Sequence, residues 1–197
     1  AALRYQDETL SYGDLDARSN RVAQGLLALG IEPGDRIAVF DKNTPEQFDI
    51  LFGVSKARAV CVPVNWRLSA HEIAQVLNDS RARVVFVGAE YIATIQQIRN
   101  TLTSLQQVFA FGPALAFPDY LAWMQEQSAS ALTADIDQDD VALQLYTSGT
   151  TGAPKGVMLT NRNLFTLLDQ AGQLWGLEPD SRSIVCLPLF HIGGIGW

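Results

Sequence analysis

The chain has 197 residues, 48% of them hydrophobic and 18% charged, which places it among ordinary globular proteins long enough to bury a substantial core in one or two domains. Its formal net charge of -7 argues against a protein built to neutralise a phosphate backbone, because that task needs a clustered Lys/Arg surface, so nucleic acid is not an expected partner. No run of about 18 apolar residues occurs and the first residues lack the basic and apolar regions of a signal peptide, so nothing is expected to span a membrane.

Along the chain, Leu15, Val22, Leu26 and Leu29 recur at helical spacing, and Gly30 stands where a C-terminal cap would sit. The turn Pro33-Gly34-Asp35 then leads into a short apolar run, residues 36–40, expected to be a buried strand. Thr44, followed by Pro45 and three residues before Gln47, has the spacing of a capping box, which predicts a second helix to about Lys56. Strands are expected at 60–64 and 84–87, with Ser69 and Glu72 forming another capping box for the helix between them. A helix over 91–102, a strand over 108–111 and a helix over 119–127 continue the alternation, and residues 128–140, rich in small and acidic side chains, read as a linker.

Helices alternating with apolar strands imply parallel neighbours joined by long crossovers, hence a layered α/β fold with mainly parallel strands flanked by helices. Cys61 and Cys186 lie in apolar segments and are expected as reduced core residues, which favours the cytoplasm. Trp123 and Trp175 sit on helical patterns and are assigned to core packing.

Several weaker signals fail on inspection. Asp135, Asp137 and Asp139 alternate like a calcium loop, but Asp140 occupies the Gly position and Tyr146 the position that needs a bidentate Glu. His71-Glu72 opens like a zinc helix, yet Gln75 replaces the second His, so His71 is expected at the surface. Gly194-Ile195-Gly196 is too short to establish a dinucleotide fingerprint.

The chemistry concentrates after a strand expected at 141–146. Thr147, Ser148, Gly149, Thr150, Thr151, Gly152, Ala153, Pro154, Lys155 and Gly156 crowd glycines and hydroxyls into one turn. Glycine lets a bulky anion approach backbone N–H groups, hydroxyls add adjustable donors, and Lys155 adds a cation, which together suit a polyphosphate. It is not a Walker loop, because Pro154 stands before the Lys and stiffens that half.

From Tyr146 to Gly156 the sequence resembles the signature phosphate loop of the adenylate-forming superfamily, which includes acyl-CoA synthetases, firefly luciferase and the adenylation domains of nonribosomal peptide synthetases. Ser11-Tyr12-Gly13-Asp14-Leu15, Pro33-Gly34-Asp35-Arg36, Cys61-Val62-Pro63-Val64-Asn65 and Gly156-Val157-Met158-Leu159-Thr160 fall in the same order as in that family. Pro188-Leu189-Phe190-His191-Ile192-Gly193-Gly194 resembles the motif that lines the acyl pocket. Two positions depart from the pattern: Arg58 stands where Gly is usual, and Asn161 stands where His often occurs, although Asn is a competent N-cap for a helix beginning there.

The resemblance implies the layered αβαβα architecture of the N-terminal domain in those enzymes, here incomplete and shortened at both ends. Residues 1–130 would form its first α/β portion, and residues 131–197 the phosphate-loop portion leading into the acyl pocket. It implies that a carboxylic acid, with a fatty acid preferred, is activated by ATP with magnesium to acyl-AMP and pyrophosphate, then passed to the thiol of CoA. Thr147, Ser148, Gly149, Thr150, Thr151 and Gly152 would hold the nucleotide phosphates, Lys155 would balance charge as nucleotide-binding and catalytic residue, and His191 would face the acid. The metal ligands, the adenine and ribose contacts and the C-terminal-domain Lys of the family fall outside the chain, which alone is expected to lack turnover. Two alternatives stay open: activation of an aryl or amino acid with transfer to a carrier-protein thiol, and a non-catalytic nucleotide-binding module. Peripheral attachment to a membrane and homo-oligomerisation are likewise open.

Overall fold

The computed structural model describes residues 1–113, 116–133, 135–147, 154–178 and 180–195. Its first element is a small antiparallel hairpin, β1 (Leu3–Tyr5) and β2 (Glu8–Leu10), with Gln6 at φ 50 in the turn. Helix α1 (Tyr12–Ala28) follows, started by a reciprocal capping box between Ser11 and Asp14 and ended before Gly30, whose φ of 75 is the left-handed conformation that the sequence anticipates there.

The main body alternates as expected: β3 (Arg36–Phe40), α2 (Pro45–Lys56), β4 (Val60–Pro63), α3 (Ala70–Ser80), β5 (Val84–Gly88), α4 (Ile92–Ile98), β6 (Gln107–Phe111), α5 (Tyr120–Gln125) and β7 (Val141–Thr147). Strand β8 (Lys155–Thr160), helix α6 (Asn161–Leu174) and a single turn, α7 (Ile192–Ile195), complete the described elements. The helix expected over 91–102 is shorter, because 3₁₀ turns flank α4 on both sides.

Six strands form one sheet in the order β6-β5-β3-β4-β7-β8. All neighbours are parallel except β8, which runs antiparallel to β7 along the edge. The parallel strands are buried on both sides; β5 is buried at every position. One face carries α1, α2 and α5 over a core that includes Val22, Leu26, Ile50, Val54, Phe86 and Tyr120. The other carries α3 and α4 over Phe40, Val62, Ile73, Val76, Val85 and Ile95. Glycine lets α1 and α2 approach: a Cβ on Gly53 would stand 2.6 Å from Val22 Cβ. Trp123 packs in an aromatic cluster with Phe86, Phe109 and Tyr120, as expected of a core residue.

Several local expectations need correction. Thr44 is the N-cap of α2, but its hydroxyl makes no capping bond; Gln47 instead turns back and donates to the carbonyls of Asp41 and Lys42, just past β3. Thr160, not Asn161, caps α6, in a reciprocal box with Asn163, while Asn161 is buried and donates to the Asp137 carbonyl at 3.1 Å. Cys61 is buried, but Cys186 is exposed, because no described strand pairs with residues 181–187 and their apolar side chains face outward. Trp175, at the end of α6, is 50% exposed rather than packed in the core.

Candidate functional site

The carboxyl ends of the sheet form the site. From β3 the chain moves to β4 on one side, from β4 it crosses to β5 on the other, and β7 returns to lie beside β4. Ligands of open α/β sheets bind outside the carboxyl ends of the strands. Here a crevice opens between β4 and β7, bordered by residues 63–65 of the β4 end and by Tyr146 and Thr147 of the β7 end.

Strands β7 and β8 bring the two halves of the Gly-rich motif together. Tyr146 faces Gly156 and Thr147 faces Lys155 in the antiparallel register, so the two flanks of the motif are the paired arms of the β7–β8 hairpin. Ser148, Gly149, Thr150, Thr151 and Gly152 lie outside the described residues. Thr147 and Lys155 are both exposed, one on each arm.

A polar chain fixes the base of this hairpin. The Tyr146 hydroxyl donates to Asp79 Oδ2 on α3 at 2.6 Å, and Gln144 Nε2 donates to the same hydroxyl at 2.9 Å. Arg36 Nε on β3 donates in turn to Gln144 Oε1 at 3.3 Å. Burial and then the Asp79 carboxylate push the Tyr146 phenol above its ordinary value, which keeps it a proton donor at neutral pH. Gly156 is needed beside this chain, since a Cβ there would stand 2.5 Å from Gln144 Nε2.

The same crevice receives the segment that ends the described chain. Asn43, just past β3, donates to the Leu187 carbonyl at 2.9 Å and accepts the Leu189 N–H at 2.9 Å. Leu189 is buried, and Phe190 meets Trp66 edge-on with ring centroids 6.2 Å apart. His191 is exposed on the crevice wall, and its Nδ1 accepts the Gly193 N–H at 3.1 Å. A neutral ring that accepts on Nδ1 carries its proton on Nε2.

A cleft of about 470 Å³ thus brings Thr147 and Pro154 from the hairpin and Phe190 and His191 from the closing segment around one space, with Glu72, Gln75 and Val76 of α3 as another wall. His71 is outside it, exposed on α3 and paired with Gln75 at 3.1 Å. The sequence motifs therefore converge, although about 40 residues separate the hairpin from His191 in the chain. Asn43, Trp66, Arg67 and the Tyr146–Asp79 bond were not legible beforehand. The available signal for Asn43 was slight: a single amide between a strand and a Pro-led helix.

Fold and cleft define an α/β protein whose site lies at the carboxyl ends of β4 and β7, on the edge half of a mainly parallel sheet. The chain belongs to the AMP-binding enzyme family, which matches it over residues 1–197. It is 36% identical to a fatty acid–[acyl-carrier-protein] ligase of Streptomyces coeruleorubidus, across 100% of this chain and 37% of the relative. It is 35% identical to a feruloyl-CoA synthase of an Amycolatopsis species, across 99% of this chain and 37% of the relative. Among solved structures, an anthranilate CoA ligase in complex with anthranoyl-AMP superposes with a TM-score of 0.87 at 27% identity, over 96% of this chain and 36% of that one. ATP-bound MatB from Rhodopseudomonas palustris gives 0.84 at 30% identity, over 95% and 37%. The chain spans 37% of the length of these two curated relatives.

Proposed function

We propose that this chain supplies the phosphate-holding hairpin and one wall of the acid pocket in an enzyme that activates a carboxylic acid with ATP and passes the acyl group to a thiol. The observation that carries this reading is the convergence of Thr147, Pro154, Phe190 and His191 on one cleft at the carboxyl ends of β4 and β7. Similarity to acid–thiol ligases, and to a solved relative holding an aryl adenylate, supports it. In this reading residues 131–197 are the phosphate-loop portion of the same large domain as residues 1–130.

The chemical difficulty is that the attacking carboxylate and the ATP triphosphate are both anions. The pocket must therefore offset charge and align the attacking oxygen with the α-phosphorus and the leaving pyrophosphate. Thr147 would donate its hydroxyl to the β- and γ-phosphates together with Ser148, Gly149, Thr150, Thr151 and Gly152. Lys155, directly across the hairpin from Thr147, would bring its ammonium to the same phosphates. Bound magnesium would supply further positive charge. His191, with its Nε2–H, would face the acid. The acyl adenylate so formed would yield AMP when a thiol attacks its carbonyl carbon.

The Phe190-His191 motif favours ligation of an acyl or aryl acid to CoA over amino-acid activation, and within that set fatty acid is the preferred substrate class. Aryl acids form the second reading, favoured by the feruloyl and anthranilate relatives, and a carrier-protein thiol is favoured by the Streptomyces relative. The deciding experiment takes the protein containing this chain at the length of its relatives and follows pyrophosphate release with ATP, magnesium and a panel of fatty and aryl acids. CoA and a phosphopantetheinyl carrier protein are supplied in parallel. Release with one acid class, and thioester on one thiol, selects among the readings; ATP binding without release with any acid would leave a nucleotide-binding module.

A further inference from the structure

The segment bearing Phe190 and His191 is held by a side chain where a strand would ordinarily hold it. Asn43 donates Nδ2–H to the Leu187 carbonyl and accepts the Leu189 N–H on Oδ1, both at 2.9 Å, so its amide pairs with the segment as a neighbouring backbone would. Leu189, whose N–H makes the second of these bonds, is buried and lines a small cavity together with Val39, Phe48, Leu51 and Cys61. A second hold lies one residue further on. The Arg67 guanidinium stands 4.7 Å from the Trp66 ring and 5.8 Å from the Phe190 ring, bridging the β4 end to the segment through two aromatic faces. Beyond these two attachments the chain turns through His191 into the cleft.

The nucleotide side of the cleft has separate supports. Thr147 and Lys155 are tied by the β7–β8 ladder, and Tyr146 by Asp79. Neither Asn43 nor Arg67 bonds to that hairpin among the described residues.

We infer that Asn43 and Arg67 are positioning residues that set the acid-side wall of the cleft, and so govern which carboxylic acids it accepts while leaving nucleotide recognition to the hairpin. The inference rests on the carboxylate-activating reading above.

The test uses the protein at the length of its relatives. Asn43→Asp keeps the side-chain shape but turns the donor arm into an acceptor facing the Leu187 carbonyl, and Asn43→Ala removes both bonds. Arg67→Leu removes the cation, whereas Arg67→Lys keeps charge without the planar stack. The expected result is a KM for the acid raised about ten-fold or more in both Asn43 variants, the scale of a lost hydrogen bond. The preference order among acids of graded size changes, the KM for ATP stays within about two-fold, and Arg67→Lys is milder than Arg67→Leu. Equal rises in both KM values, or an unaltered acid KM and preference order, would overturn the inference. Should the Asn43 variants fail to fold, the Arg67 pair decides by the same criteria. A readout free of turnover separates this from the activity itself: the His191 ring nitrogens, assigned in ¹⁵N-histidine spectra by their loss in His191→Ala, are expected to shift in Asn43→Ala and Arg67→Leu. Unchanged His191 signals overturn the positioning role whether or not the parent activates any acid, whereas parent inactivity counts against the activity alone.

Discussion

Arg58 and Asp140 join the end of α2 to the start of β7 through two bonds, Nε to Oδ2 at 2.7 Å and Nη2 to Oδ1 at 3.1 Å. Arg58 makes this pair from a left-handed backbone, φ 56, at the position where the resembled family usually has Gly. The left-handed turn after the helix is thus kept without Gly, and the side chain that Gly would lack anchors the strand entering the β7–β8 hairpin. Arg58→Gly relieves about 1 kcal/mol of backbone strain and loses a solvent-screened ion pair of small worth, so stability should change little. Arg58→Ala keeps the strain and loses the pair, and is expected to be about 1 kcal/mol less stable than Arg58→Gly. Urea unfolding of the two variants and the parent measures this; equal stability of Ala and Gly would remove strain from the account.

Lys155 makes the most direct prediction about the nucleotide. A charge-assisted bond to phosphate contributes about 1.5–3 kcal/mol, so Lys155→Ala should weaken ATP binding about ten-fold or more in titration calorimetry. Thr151→Ala, which removes one neutral donor, should cost less. Unchanged ATP affinity in both would remove the Gly-rich motif from the phosphate site.

Gly156→Ala tests the hairpin base independently of ligand. The new Cβ meets Gln144 Nε2 at 2.5 Å and the Tyr146 ring at 3.0 Å, so the Gln144–Tyr146–Asp79 chain must shift. Overpacking of this kind costs about 1–3 kcal/mol, and the thermal midpoint should fall accordingly. A variant as stable as the parent would mean that the polar chain yields freely.

The acid–base response of the fold has a definite sign. Burial pushes the Asp49 carboxyl up to about 6, although the Arg18 guanidinium lies 2.7 Å away and the Tyr120 hydroxyl donates to it at 3.2 Å. Asp41 is pushed up to about 6 by burial as well. A folded value above the ordinary 3.8 means that, between about pH 4 and 6, the native state keeps protons the unfolded chain has released. These two groups therefore add stability as the pH falls from 7 toward 4, by an amount for Asp49 on the order of 3 kcal/mol at most. Asp14, Asp16, Glu72, Asp139 and Asp140 have the opposite sign, lowered chiefly by side-chain hydrogen bonds; their contribution is present at neutral pH and lost as pH falls below about 4. Unfolding free energy should peak at about pH 4, where the first set has gained most and the second has only begun to be lost, and Asp49→Asn should flatten the rise from pH 7. A monotonic decline from pH 7 downward would contradict the assigned burial effect.

The sequence disclosed features whose determinants are local or periodic. The Ser69–Glu72 box is observed because both partners lie within one turn, and the parallel strands because they are apolar at nearly every position. Thr44 and Gln47 had the same spacing, but Gln47 found the carbonyls at the end of β3, a choice that only the packed sheet offers. Hairpin β1–β2 is too short and too polar to stand out, and β8 was read only as part of a motif, because an antiparallel edge strand has no crossover to announce it. In the site, Lys155 and His191 were legible as residue types in motifs. Asn43 and Arg67 act through contacts with residues more than a hundred positions away, which no local pattern encodes.

The Trp66–Arg67–Phe190 stack gives the molecule an optical gauge of its own. Trp123 is enclosed by other aromatic rings, so its emission should be a steady background, whereas the Trp66 indole touches the cation and the ring that frame the acid side of the cleft. Any rearrangement of that wall changes the polarity and charge around this one indole. The difference in intrinsic fluorescence between the parent and a Trp66→Phe variant, which removes the background of the other tryptophans, can therefore follow the wall in real time, without a label and without turnover.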